Sequence, residues 1–195
     1  MKLPIVAYGD PILRKKAEDI DEDYPNLKQL ISDMFETMYA AHGVGLAAPQ
    51  IGLPIRLFVI DATPFAEDDE DAGGDPALKD FKKVLINPII LEERGEKWAF
   101  SEGCLSIPEI NEEVMRAPDV VVNYLDENFE EHEVELSGLA ARVVQHEYDH
   151  IEGKLFVDKL SPLKKAMLKG KLDAISKGMV QVGYKMKFPK DKKKR

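Results

Sequence analysis

The segment Gln145-His146-Glu147-Tyr148-Asp149-His150 constrains this chain more than any other. Two histidines four positions apart share one face only in a helix, so the imidazoles reach a common point if the segment is helical and diverge if it is extended. At about 100° per residue, with His146 at zero, Leu139 falls near 20°, His150 near 40°, Val143 near 60° and Glu147 near 100°. Val144 and Ile151 continue this apolar stripe, and Arg142, Gln145 and Asp149 occupy the other flank. The histidines thus sit on the face that the helix buries. A lone histidine there reads as a hydrogen-bonded core residue; a pair at this spacing with a glutamate after the first is the HExxH arrangement, which holds a metal ion. Ser137 is placed to cap the helix and Gly153 to stop it, predicting a helix over 137–152.

A tetrahedral catalytic site needs one further protein ligand. No histidine or cysteine follows His150. A thermolysin-like peptidase takes a glutamate from a later helix, yet Glu152 is the last glutamate in the chain. The HExxHxxGxxH pattern fails as well, because Phe156 stands where the third histidine belongs. Upstream, His42 ends a predicted helix and His132 lies in a charge-rich strand, where solvent exposure is expected. Cys104 lies in SEGCLS, read as a glycine-containing turn after an apolar strand, where backbone can approach an ion closely. As the one cysteine it has no internal disulfide partner, and a lone thiol is a good soft ligand. Cys104, His146 and His150 would leave a fourth position for water.

With 195 residues, 44% of them apolar, the chain can bury one substantial core, and one domain is expected. Residues 25–41 place Leu27, Leu30, Ile31, Met34, Phe35 and Met38 at helical spacing, with Pro25 suited to the first turn. Strands are predicted at 55–61, through VLINPII, at KWAF, and as an antiparallel hairpin of 120–126 with 129–136. Ser161-Pro162 opens a further helix to about Lys177, and MVQVGYKMKF closes as a strand. The expected class is α+β: antiparallel strands packed around a central HExxH metal-binding helix, with an N-terminal and a C-terminal helix. Residues 1–178 read as the single catalytic domain and 179–195 as a basic, partly disordered tail.

No apolar run approaches the roughly 18 residues of a membrane span, and charges come too early for a signal peptide, so a cytoplasmic location is expected. A formal net charge of −9 argues against broad or sequence-specific nucleic-acid binding. The charge is unevenly spread, with EDDED at 67–71 and YKMKFPKDKKKR at the end. Within the acidic loop 62–80, Asp69, Asp71, Gly74 and Asp80 fall at EF-hand positions. Gly73 replaces an oxygen ligand there, a short Asp replaces the bidentate Glu, and no helix pair flanks the loop, so the calcium reading fails.

Three segments together, GVGLAAPQ at 43–50, EGCLS at 102–106 and HEYDHIEG at 146–153, resemble the peptide deformylase family. DMFETMYA, LINP and KLFVDKLSPLK extend the likeness to roughly residues 5–170. Ile151 stands where the family usually has Leu, and the loop 62–80 is longer than a compact member requires. The resemblance implies removal of the formyl group from the N-terminal formyl-methionine of new bacterial or organellar chains, with release of formate. It implies one divalent ion, natively Fe(II), with Zn(II), Ni(II) or Co(II) as replacements. Glu147, beside a ligand and not itself one, suits proton transfer. The resemblance further assigns the oxyanion donors to the side-chain amide of Gln50 and the backbone N–H of Leu105. It makes Gly45 the place where the peptide backbone approaches, and Val44, Leu139 and Val143 the methionine pocket.

Two rivals use the same residues differently: an HExxH metallopeptidase, and a non-catalytic, metal-stabilised protein associated with the ribosome. The first predicts cleavage of internal peptide bonds. The second predicts metal-dependent folding without turnover, for which Glu147 and Gln50 are unnecessary. The seven cations among residues 185–195 are expected to give weak, salt-sensitive ribosome association.

Overall fold

The computed structural model describes residues 1–66 and 75–189. The acidic cluster at 67–71, most of the calcium-like pattern and tail residues 190–195 lie outside the described residues. The chain opens with strand β1 (Ile5–Val6), helix α1 (Leu27–Ala40), β2 (Gly45–Ala47) and β3 (Leu57–Asp61). Five longer strands follow: β4 (Lys82–Arg94), β5 (Trp98–Cys104), β6 (Ile107–Arg116), β7 (Asp119–Leu125) and β8 (Glu131–Ser137). Helix α2 (Gly138–Ile151), helix α3 (Pro162–Ser176) and strand β9 (Met186–Lys187) complete it. Mixed helices and antiparallel sheets, with three α-helices among the described residues, agree with the expected α+β class.

The sheet order β2-β3-β4-β7-β8 is antiparallel throughout. β3 explains how two helices attach to it. Every residue of β3 is buried, and the two-residue period of a strand sends Leu57 and Val59 to one face and Phe58 and Ile60 to the other. Leu57 and Val59 pack with Ile31, Met34 and Met38 of α1, while Phe58 and Ile60 pack with Ala140, Val144 and Ile151 of α2. A fully buried Leu or Ile side chain contributes about 1.5–3 kcal/mol, so this short apolar strand anchors two layers at once. A third cluster joins Leu168, Leu172 and Ile175 of α3 to Ile107, Ile110 and Val114 of β6.

The structure departs from the expected elements at four places. Helix α1 begins at Leu27, with Asn26 in the left-handed region, and Pro25 lies before the helix rather than in its first turn. Ser137 stands at the N-cap of α2 but makes no capping hydrogen bond: it is still the last residue of β8, paired with Asp119, and Gly138 at φ +58 turns the chain straight into the helix. The SEGCLS turn is shorter than expected, because β5 runs through Cys104, paired from Trp98 onward with an irregularity between Glu102 and Cys104 to β6, a strand with no counterpart in the predicted elements. The closing strand spans only Met186–Lys187 and runs parallel to β1, so the strands are not all antiparallel. Gly153, by contrast, follows the end of α2 at φ +70, where an added Cβ would lie 2.6 Å from the Arg14 carbonyl oxygen.

Candidate metal centre

Helix α2 and the end of β5 bring Cys104, His146 and His150 together, with one donor atom from each all within 4.8 Å of one another. Cys104 Sγ lies 3.3 Å from His150 Nε2, and the two imidazole centroids are 5.1 Å apart and nearly perpendicular. His146 Nδ1 bonds the Glu102 carboxylate at 2.9 Å, which leaves its Nε2 as the free donor. A ligating histidine characteristically gives its other nitrogen to a carboxylate in this way, fixing tautomer and ring orientation. A thiol and two imidazoles, oriented from behind and largely removed from solvent, fit a borderline divalent ion. His42 and His132 are not part of this group. His42 is exposed at the cavity rim, and His132 stacks on Tyr124 and bonds Asp126 at 2.8 Å.

Glu102 is the residue the sequence reading left without a role. It is 6% exposed and accepts from Arg116 at 2.6 and 2.9 Å, from Arg142 Nη1 at 2.9 Å and from His146. Arg116 also donates to Asp149 at 2.8 Å. Arg142 donates to the carbonyls of Val114 and Trp98, both at 2.8 Å, and its guanidinium lies 4.5 Å from the Trp98 ring centroid. Burial alone would push the Glu102 carboxyl up, but His146 and Arg116 hold it well below the usual carboxylate range. The flank of α2 carrying Arg142, Gln145 and Asp149 is therefore a second buried face, bonded to β5, β6 and the segment after them. A carboxylate and an arginine 14 residues apart on paired strands gave no local signal; the one available was the Glu of EGCLS.

Glu147 is 4% exposed, and its Oε2 has no hydrogen-bond partner. Burial pushes its carboxyl up to about 7, into the range where a group both takes and returns a proton near neutrality. Gly45 makes room for it: an added Cβ there would lie 2.3 Å from Glu147 Oε1. Burial opposes the charged form of His146, yet Cys104 and Glu102 raise it to about 10, while burial followed by His146 drives His150 well below its ordinary value.

Gln50 is 1% exposed. Its Oε1 accepts from Ala47 N–H at 2.9 Å, so its amide NH₂ is turned the other way, to Ser106 Oγ at 3.2 Å and Cys104 Sγ at 3.5 Å. Donors therefore face the metal cluster. Leu105 follows Cys104 in the turn between β5 and β6. A cavity of about 530 Å³ opens onto these groups, and Val44, Gly45, Leu139 and Val143 all line it, as do Gln50, Leu105, His146 and Glu147. Phe65, Phe100 and Tyr184 also face the cavity and were not anticipated.

Comparison with known proteins agrees with this geometry. The family described as polypeptide deformylase matches residues 2–166. The peptide deformylase of Christiangramia forsetii is 63% identical over 196 residues, covering 100% of both chains. That of Flavobacterium johnsoniae is 56% identical over 197 residues, again covering 100% of both. Among solved structures, a peptide deformylase from Legionella pneumophila superposes with a TM-score of 0.77 at 42% identity, covering 92% of this chain and 98% of that one.

Proposed function

The chain belongs to the polypeptide deformylase family, an enzyme removing N-formyl groups from newly synthesised polypeptides, and on that premise we propose which groups carry the reaction. In this reading the antiparallel strands pack around a central HExxH helix, α2, and residues 1–178 act as one catalytic domain. Cys104, His146 and His150 hold one divalent ion, natively Fe(II), with Zn(II), Ni(II) or Co(II) as replacements. When bound, the ion supplies Lewis acidity, lowering the pKa of water towards neutrality. Glu147 accepts the proton of the water that attacks the formyl carbon and delivers it to the departing amine as the C–N bond breaks, giving formate and a free N-terminus. The amide of Gln50 and the N–H of Leu105 donate to the oxyanion of the tetrahedral intermediate. Val44, Leu139 and Val143 receive the methionine side chain, and Gly45 leaves the peptide backbone and the Glu147 carboxyl room side by side.

The observation that carries this reading is the buried Glu147 carboxyl, its Oε2 without a hydrogen-bond partner, lining the same cavity as Cys104 and His146 of the Cys104, His146 and His150 cluster. A structural metal site has no use for it. The test is metal-loaded, anaerobically prepared protein incubated with formyl-Met-Ala-Ser. Formate and free amine in equal amounts are expected; shorter peptides without formate would indicate a metallopeptidase instead.

We infer a cytoplasmic location, near the ribosomes from which such a substrate emerges, where the basic segment 185–195 would supply weak, salt-sensitive association. No helix among the described residues is long and apolar enough to cross a membrane. Because Met186 and Lys187 form β9, a truncation testing this association belongs after Pro189. It should lower co-sedimentation with ribosomes at low salt and leave turnover of a free formyl-peptide unchanged. Equal co-sedimentation by both forms would remove the tail from the reading.

A further inference from the structure

Tyr184, in the segment read as tail, donates its hydroxyl to the Leu105 carbonyl at 2.8 Å and lines the reaction cavity. The carbonyl carries no hydrogen, so the direction of this bond is fixed. Leu105 stands between the thiol Cys104 and Ser106, and Ser106 is pinned from two different parts of the chain. Tyr8 N–H donates to the Ser106 carbonyl at 2.8 Å, and Gln50 Nε2 donates to Ser106 Oγ at 3.2 Å. Two residues beyond Tyr184 the chain pairs with β1, where Ile5 N–H bonds the Lys185 carbonyl and Ala7 N–H bonds the Lys187 carbonyl, both at 2.9 Å. Tyr8 directly follows this pairing. The short segment 5–8, β1 and the two residues after it, therefore carries both the clamp on β9 and the clamp on the Leu105 turn.

We propose that Tyr184 is a positioning residue for the reaction, holding Leu105 so that its backbone N–H meets the oxyanion, and that β9 completes the site by holding Tyr184. The inference rests on the deformylase activity set out above. Leu105 is the one group in that machinery that no side chain of its own can orient, because the donor is a main-chain N–H at a turn. A turn that rocks by a few tenths of an ångström shifts a donor whose value depends on meeting the transition-state oxygen rather than the ground-state carbonyl. The expected signature is therefore in kcat. Without the hydroxyl the phenyl ring still packs, half-buried, against the hydrophobic core that α1 shares with β3.

The experiment compares metal-loaded wild type, Tyr184→Phe, and a form with 3-fluorotyrosine at position 184, which keeps the hydroxyl, on formyl-Met-Ala-Ser. Losing an oxyanion donor outright typically costs about 10²- to 10³-fold in kcat, so loosening one is expected to cost about 5- to 30-fold. KM should stay within about twofold, since ground-state binding is untouched. Metal content should equal wild type, and the fluorotyrosine form should recover most of kcat. A Tyr184→Phe enzyme with wild-type kcat overturns the proposal. So does a change confined to KM, which would make the ring a passive wall, or a fluorotyrosine form as slow as the phenylalanine one. A wild type that releases no formate would overturn the activity itself and this inference with it.

Discussion

Replacing Glu102 by glutamine keeps the side chain's shape and removes its charge from the centre of the buried network. In the wild type Glu102 and Asp149 balance Arg116 and Arg142, all four at most 8% exposed. In Glu102→Gln, Arg116 keeps Asp149 at 2.8 Å and Arg142 keeps two backbone carbonyls, but one buried positive charge loses its counter-charge. Breaking a buried pair outright costs about 3–5 kcal/mol; with these remaining partners roughly 2–4 kcal/mol is expected. For a chain of this size that lowers Tm by about 5–15 °C. A second effect falls on His146, whose Nδ1 loses a carboxylate partner; such changes lower metal affinity by about 10- to 100-fold. Thermal unfolding of the metal-free protein measures the first effect, and Co(II) titration followed by thiolate-to-metal absorption measures the second. The pH dependence gives a further check. Glu102 is held well below its ordinary pKa, so its stabilisation is fully present above about pH 4.3 and is lost as pH falls from there toward the depressed folded value. The difference between wild type and variant must therefore narrow on acidification. Equal Tm values at pH 7 with equal Co(II) affinity would refute the assignment of Glu102 as the support of His146.

Three further outcomes follow from the same geometry. Cys104→Ser should bind a soft or borderline ion more weakly, because a serine hydroxyl is a harder and far less acidic donor; an unchanged Co(II) spectrum would show that the thiol is not a ligand. Gly45→Ala should cut turnover sharply, since its Cβ would fall 2.3 Å from Glu147 Oε1 and must displace that carboxyl; full activity would mean the carboxyl position does not matter. Formyl-Met peptides should be preferred over formyl-Ala ones by about 1–3 kcal/mol in kcat/KM, reflecting the apolar wall of Val44, Leu139 and Val143, and equal values would remove that assignment.

Helix α2 was legible because its period is local: the spacing of Leu139, Val143, His146, Glu147 and His150 alone puts them on one face, and the cavity is lined by four of these, with His150 bonded to Cys104 behind it. The buried strand β3 was legible for the same reason, its run of large apolar residues needing two covered faces. Partners brought from elsewhere were not. Arg142 and Asp149 read as the polar flank of a helix, yet Arg142 reaches Glu102 across 40 residues and Asp149 reaches Arg116 across 33. A single sequence shows that a charge lies opposite the apolar stripe; it does not show which strand supplies the counter-charge. Strand β6 escaped because NEEVMR looks solvated, although its alternation buries Ile110 and Val114 in the cluster shared with α3, which Ile107 joins from the strand's start. Tyr184 escaped because a segment rich in lysine resembles a frayed end, and only the parallel pairing of β9 with β1 draws it into the site. Gly45 was read only as room for the peptide backbone, whereas its lack of a side chain also admits the Glu147 carboxyl.

The central claim is that Glu147 moves the proton while Cys104, His146 and His150 hold the ion. The most direct measurement is formate release by Glu147→Ala, with metal content determined on the same sample. Metal at the wild-type level and turnover reduced by about 10²- to 10⁴-fold is the predicted result. Metal-loaded Glu147→Ala that releases formate within a few-fold of wild type would contradict it and move the proton carrier to another group.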